Sequence, residues 1–179
     1  VAEFKAQSAQ AKSPQAPAEI PQTEKPSVEL FVMSYCPFGL QSQKAMLPVM
    51  ELLKDKADIK IRFVDYIMHE KKEIDENLRQ YCIEKEQPEK YYSYLNCFVE
   101  DGNYQSCLTE AGIDQQVLNS CVSATDKEYA ITEGYNNKET WLQGTYPRFP
   151  VHSDLNDQYG VRGSPTVVIN GQTVSVSQR

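Results

Sequence analysis

Val28-Glu29-Leu30-Phe31-Val32-Met33 is an apolar, partly β-branched run with little alternation. Such a run predicts a strand buried on both faces, which has to lie inside a layered α/β sheet with elements covering each side. It ends in Ser34-Tyr35-Cys36-Pro37, beyond which Leu40, Met46, Leu47, Val49, Met50 and Leu53 recur mostly three and four residues apart. This is helical spacing, and Pro48 inside it predicts a kink rather than a stop. Ile59 to Val64 alternates as a second strand, with Ile59, Ile61 and Phe63 on one side. The opening is therefore a βαβ unit.

From Glu70 to about Gly144 the pattern is helical. Ile74, Leu78, Tyr81 and Cys82 share one face, and Pro88 suits the first turn of a following helix that turns Tyr91, Tyr94, Leu95 and Phe98 inward. A short helix carrying Tyr104, Cys107, Leu108 and Ala111 closes at Gly112. Asp114 caps another, with Val117, Leu118 and Cys121 on its apolar face, and Asp126 to Trp141 is expected to be helical too. After the connector Thr145-Tyr-Pro-Arg-Phe-Pro150, Asn170-Gly171 separates Val167-Val-Ile169 from Thr173-Val-Ser-Val176. Asn-Gly between β-branched runs is a strong hairpin signal.

Charge and composition exclude several classes. With 25 acidic against 18 basic residues and a net charge of −7, the chain has no electrostatic footprint for nucleic acid. No stretch approaches the roughly 18 apolar residues of a membrane span. Residues 1–27 hold six Ala, four Gln and four Pro, with only Val1, Phe4 and Ile20 as large apolar side chains. A segment of this kind buries too little surface to offset its ordering entropy, so it reads as a flexible linker between an export or membrane-anchor segment and a domain spanning 28–179.

Cys36 stands where a strand turns into a helix, before a proline preorganised for the first helical position. A thiol in such a place faces unpaired N–H groups and the positive end of the helix dipole, and thiols so placed commonly titrate at about 3.5–7.5 instead of about 8.5. The competing reading of a lone cysteine is a small buried hydrophobe. Gly160-Val-Arg-Gly-Ser-Pro165-Thr leads directly into a strand, and its Ser-Pro bond is a candidate cis peptide.

The Cys-Pro pair opening the first helix, with Gly163-Ser164-Pro165-Thr166 leading into an Asn-Gly hairpin, resembles the thioredoxin fold. The long helical block, about 70–144, resembles the insertion of the DsbA-like branch between the second strand and the cis-proline strand. It is also similar to the cysteine-bearing block of lysosomal thiol reductase-like proteins. The resemblance implies an α/β thioredoxin-like domain in which Cys36 and Pro165 form the catalytic pair. Tyr35, Pro37, Phe38, Gly39, Gly163 and Ser164 would then line a substrate groove, Ser164 offering backbone hydrogen bonds to an extended substrate. Two departures stand out. Active members read Cys-x-x-Cys, whereas Cys36-Pro37-Phe38-Gly39 puts glycine in the second place, so no second thiol resolves a mixed disulfide. Six residues before Cys36, where relatives often carry a buried acid, stands Leu30.

The other four cysteines fall in the helical block. Zinc is disfavoured, since no Cys-x-x-Cys pair or nearby His completes a tetrahedral set. Of three disulfide connectivities, the spacing favours Cys97–Cys107 across the Glu100-Asp-Gly-Asn103 connector, leaving Cys82–Cys121 as the outer pair. Bridges imply an oxidising compartment: periplasm, cell surface or secretory lumen. His69 and His152 belong to no recognisable ligand or catalytic set, and no phosphate-cradling glycine loop occurs, so neither metal nor cofactor is expected. The expectation is an exported, monothiol thiol-disulfide exchange protein acting on a protein or small-thiol partner. The alternative is a redox-silent module in an envelope assembly. A thioredoxin-like sheet usually gains a further helix after its hairpin, and Arg179 follows shortly after Val176, so that helix is expected outside this sequence or replaced by a partner.

Overall fold

The computed structural model describes residues 19–175. Its strands are β1 (Ser27–Val32), β2 (Asp58–Phe63), β3 (Thr166–Ile169) and β4 (Gln172–Val174), in the spatial order β2-β1-β3-β4. β1 pairs parallel with β2 and antiparallel with β3, and β3 with β4 makes the hairpin. Asn170 and Gly171 both have positive φ, 48° and 79°, the backbone that a tight two-residue hairpin needs. Val176 and residues 1–18 lie outside the described residues. The last part of the expected linker is tied down. Asn170 Oδ1 accepts from the Ser27 N–H at 2.8 Å, and its Nδ2 donates to the Pro21 carbonyl at 2.6 Å.

β1 is central and buried on both sides, with Leu30, Phe31, Val32 and Met33 all inaccessible to solvent or nearly so. Leu30 and Val32 face a large core shared with Ile61 and Phe63 of β2, Leu47 of α1 (Pro37–Leu53) and the helical insertion. Phe31 and Met33 face the other way and pack with Val64, Val161, Val168 and Cys36. α1 runs unbroken through Pro48.

The insertion comprises α2 (Glu70–Glu86), α3 (Pro88–Asp101), α4 (Tyr104–Glu110), α5 (Gln115–Tyr129) and α6 (Ile131–Asn136). Disulfides join Cys82 of α2 to Cys121 of α5, and Cys97 of α3 to Cys107 of α4, with Cα separations of 5.7 and 5.5 Å. The helix expected over Asp126 to Trp141 does not form as one piece. α5 stops where Ala130 turns left-handed at φ 50°, and the Trp141 indole N–H caps the end of α6 by donating to the Gly134 and Tyr135 carbonyls. α7 (Ser153–Tyr159) is an element the sequence pattern did not announce. It is short, presents only Leu155 and Tyr159 to the second core cluster, and ends at Gly160 in the left-handed conformation.

His152 is buried between Phe63 and Tyr81, and its Nδ1 accepts the Phe63 N–H at 3.1 Å. Burial, with a smaller contribution from Arg62, lowers its pKa from 6.5 to about 3. The unfolded chain therefore takes up a proton below pH 6.5 that the folded chain refuses until about pH 3. Stability is full above pH 6.5 and falls across that window, at up to about 1.4 kcal/mol per pH unit. His152→Asn removes the titrating group, so urea midpoints should show the stability gap between parent and variant narrowing steadily as pH drops. A gap independent of pH would contradict this account.

Candidate functional site

The site is built where β1 ends. Beyond Val32 the chain turns sharply, with the Cys36 N–H donating to the Met33 carbonyl at 3.0 Å, and Cys36 becomes the N-cap of α1 in extended conformation. Its side chain makes no capping bond, and its carbonyl accepts the first helical bond, from Leu40 N–H at 2.8 Å. Pro37 has no N–H, so the first turn offers those of Phe38 and Gly39 without intrahelical partners. No acidic side chain occupies that turn to offset its positive potential.

Opposite Cys36 lies the segment before β3. The Ser164-Pro165 peptide is cis, and the Cys36 thiol donates to the Ser164 carbonyl at an Sγ–O distance of 3.7 Å. The thiol is 9% exposed. Ser164 does more than face the cysteine. Pro165 cannot donate to the sheet, and the Ser164 hydroxyl accepts the Met33 N–H at 3.0 Å, continuing the β1–β3 contact past its last regular pair.

Gly39 is buried beneath this contact. A Cβ at position 39 would lie 2.6 Å from Ser164 Oγ, 3.0 Å from the Met33 carbonyl and 3.3 Å from Cys36 Cβ. The space that a side chain at position 39 would need is thus taken by the serine hydroxyl that holds the Met33 N–H. Pro37 and Phe38, by contrast, are exposed, Phe38 by 52%, and Gly163 and Pro165 are half-buried.

The insertion grips the turn before Cys36 from below. Asn77 Oδ1 accepts the Ser34 N–H at 3.2 Å, and Glu73 Oε1 accepts the Tyr35 N–H at 3.0 Å. The other Glu73 oxygen accepts the Met68 and His69 N–H groups at 2.9 and 3.1 Å, while His69 Nδ1 meets Oε1 at 2.9 Å. One buried carboxylate therefore holds two loops together. The Tyr35 ring packs edge-on against Phe98, with Lys72 Nζ 4.9 Å from its centroid. Deeper in α2, Glu76 is wholly buried and accepts from Tyr94 Oη at 2.9 Å, Gln80 Nε2 at 2.8 Å and Arg79. Burial raises its pKa, and Arg79 opposes the rise.

Of the sequence-derived candidates, Ser164 meets the Cys36 thiol and Gly39 lies against both, the Tyr35 ring packs on Phe98, and Cys82, Cys97, Cys107 and Cys121 are bonded in the insertion. Glu73 and Asn77 were missed. Their four-residue spacing is that of a solvated helix face, and only the loops packed over α2 make it an interior one. Among the described residues no group of acids, cysteines and histidines could hold a metal ion.

A mixed sheet in β2-β1-β3-β4 order, with a cysteine at a helix N-terminus facing a cis-proline segment, defines a thioredoxin-type architecture. No family model matches the chain, and no curated protein matches it in sequence. Among solved structures, it is similar to oxidised BdbD from Bacillus subtilis, 19% identical over 87% of this chain and 82% of that one, with a TM-score of 0.56. It is similar to reduced DsbA from Mycobacterium tuberculosis at 14% identity, over 85% of this chain and 76% of that one, TM-score 0.56. The MdbA protein, a thiol-disulfide oxidoreductase from Actinomyces oris, is 13% identical over 85% of this chain and 74% of that one, TM-score 0.56. The chain has a DsbA-like thioredoxin fold with a helical insertion between β2 and β3.

The contact at position 39 gives a stability prediction. Gly39→Ala should cost about 1–3 kcal/mol, because the new methyl displaces Ser164 Oγ and leaves the buried Met33 N–H unpaired. In a Ser164→Ala background that bond is already gone, so the same substitution should cost clearly less. Urea unfolding of the four proteins measures the coupling. Additive costs would mean that the two side chains do not compete for this space.

Proposed function

We propose that this protein carries out thiol-disulfide exchange through the single thiol of Cys36. One observation carries the reading: the only free cysteine among the described residues caps a helix start against the Ser164 carbonyl, while Ser164 Oγ crowds the space a second thiol would need. In this mechanism the Cys36 thiolate attacks one sulfur of a substrate disulfide, a Cys36–substrate S–S bond forms, and the other substrate sulfur leaves as thiolate. A thiol from a partner then attacks the mixed disulfide, takes the substrate sulfur into a new disulfide and returns Cys36 as thiolate. Disulfides are exchanged and no net electrons stay on the protein. Pro165 shapes the groove, Tyr35, Pro37, Phe38, Gly163 and Ser164 contact the substrate with Phe38 as the exposed apolar contact, and the buried Gly39 acts beneath the groove by letting Ser164 approach.

The two disulfides of the insertion fit an extracytoplasmic setting, in the periplasm, at the cell surface or secreted. Among the described residues no helix is long and apolar enough to cross a membrane; the membrane tether proposed for this protein is on the N-terminal side of the domain. The 9% exposure of Cys36 favours a second reading, a redox-silent module that uses the same surface to bind a partner in an envelope assembly.

Native protein incubated with a peptide disulfide should gain one peptide mass, and digestion without reductant should place it on Cys36. Cys36→Ser should gain none. A native chain that stays unmodified, while the same chain in denaturant reacts, would favour the binding module.

A further inference from the structure

A polar cavity of about 490 Å³ is lined by Asp65, Tyr66, Gln143, Arg148, Asp157 and Arg162, among others. Tyr66 and Val161 tie it to the core cluster that holds Cys36: Val161 is a member of that cluster, the Tyr66 ring packs against it, and the Tyr66 hydroxyl donates to the Arg162 carbonyl at 2.9 Å. Arg162 stands two residues before Ser164, whose carbonyl meets the thiol. The same short segment therefore borders the cavity with one residue and the sulfur with another.

The lining carries both signs of charge. Arg148 NH1 and Asp65 Oδ2 pair across the cavity at 3.3 Å, whereas Arg162 and Asp157 have no ion-pair partner among the described residues. Burial raises the pKa of Asp65, Arg148 and more weakly Arg162 oppose that rise, and Asp157 adds to it, so the two carboxylates repel one another. A cation from outside would relieve that repulsion, and a carboxylate would find Arg162. Size and charge together suit a small zwitterion, with an ammonium toward Asp65 and Asp157 and a carboxylate on Arg162.

We propose that this cavity docks the thiol that resolves the Cys36 mixed disulfide, and that this thiol is a small, zwitterionic, amino-acid-derived one. The inference rests on the exchange function proposed above and names its second reactant. The docked thiolate attacks the substrate sulfur of the Cys36–S–S–substrate bond, leaving as a disulfide with the substrate while Cys36 departs as thiolate. One S–S bond breaks and one forms, so no outside oxidant or reductant enters.

Two measurements separate the dock from the chemistry. S-methylglutathione cannot exchange, so calorimetric titration reads the cavity alone. Binding should be saturable in the millimolar range or tighter and should weaken about tenfold in Arg162→Ala and in Asp157→Asn. Absence of binding, or binding untouched by both variants, would overturn the proposal. The second arm loads Cys36 with a cysteine-containing peptide through a mixed disulfide and follows, by acid-quenched mass spectrometry, the return of free Cys36 and the appearance of the peptide–thiol disulfide on adding glutathione, cysteine, mercaptoacetate, cysteamine or mercaptoethanol at equal thiolate concentration. The zwitterions should give saturating rates, and Arg162→Ala should lower the glutathione-to-mercaptoethanol rate ratio about tenfold. Linear, unselective rates would refute docking during resolution even if the exchange function stood. A Cys36 that cannot be loaded would sink both the exchange function and the resolving role, while the calorimetry would still report whether the cavity binds zwitterions.

Discussion

The hydrogen bond from the Met33 N–H to the Ser164 hydroxyl holds together the three parts of the site. Without it the buried Met33 N–H, the first donor beyond β1, would lose its acceptor, and a buried unpaired N–H costs about 1–3 kcal/mol. The bond fixes Ser164, and the fixed Ser164 carbonyl meets the Cys36 thiol. Its hydroxyl also lies where a side chain at position 39 would begin, so Gly39 is the residue that lets α1 start this close to the cis-proline segment. Glycine here is required by a close approach, not by its backbone freedom, since no positive φ is involved.

The same turn is held from the insertion side by a different device. Glu73 and Asn77 accept the backbone donors of Ser34, Tyr35, Met68 and His69, groups that no regular element satisfies. Irregular backbone can be buried only when such partners exist. The insertion therefore contributes more than bulk to the fold, since α2 supplies the acceptors that let the Cys36 turn sit against the core. Disulfides in turn bind α2 to α5 and α3 to α4, where the Tyr35 ring rests on Phe98.

These two devices explain what the sequence disclosed and what it withheld. β1, α1, β2 and the Asn170-Gly171 hairpin were legible because burial on both faces, helical spacing, alternation and turn chemistry each leave a local pattern. The pairing of Cys97 with Cys107 was legible because a four-residue connector sets the two positions one turn from a reversal. The roles of Glu73, Asn77 and Ser164 Oγ were not, because each satisfies a partner 4 to 131 positions away, and a polar side chain carries no mark of whether it will be covered. α7 failed for the opposite reason. Leu155, Tyr159 and the capping Gly160 form a real helical pattern, but over seven residues it is too short to stand out from a loop.

A monothiol site changes the kinetics that such a fold can support. Where a second cysteine is present, the resolving thiol is held at high effective concentration, and the mixed disulfide is brief. In the proposed single-thiol mechanism the covalent complex would last until an outside thiol arrives, with a lifetime set by that thiol's concentration and access. Access is restricted here, because Cys36 meets the Ser164 carbonyl and has little exposed surface. A neighbouring cavity that gathers one chemical class of thiol would restore part of the lost effective concentration while leaving release of the substrate under the control of the surroundings. In the proposed mechanism the glycine at position 39 and the charged cavity lined by Tyr66 work as one arrangement: the first leaves no internal resolving thiol, and the second would select the external one.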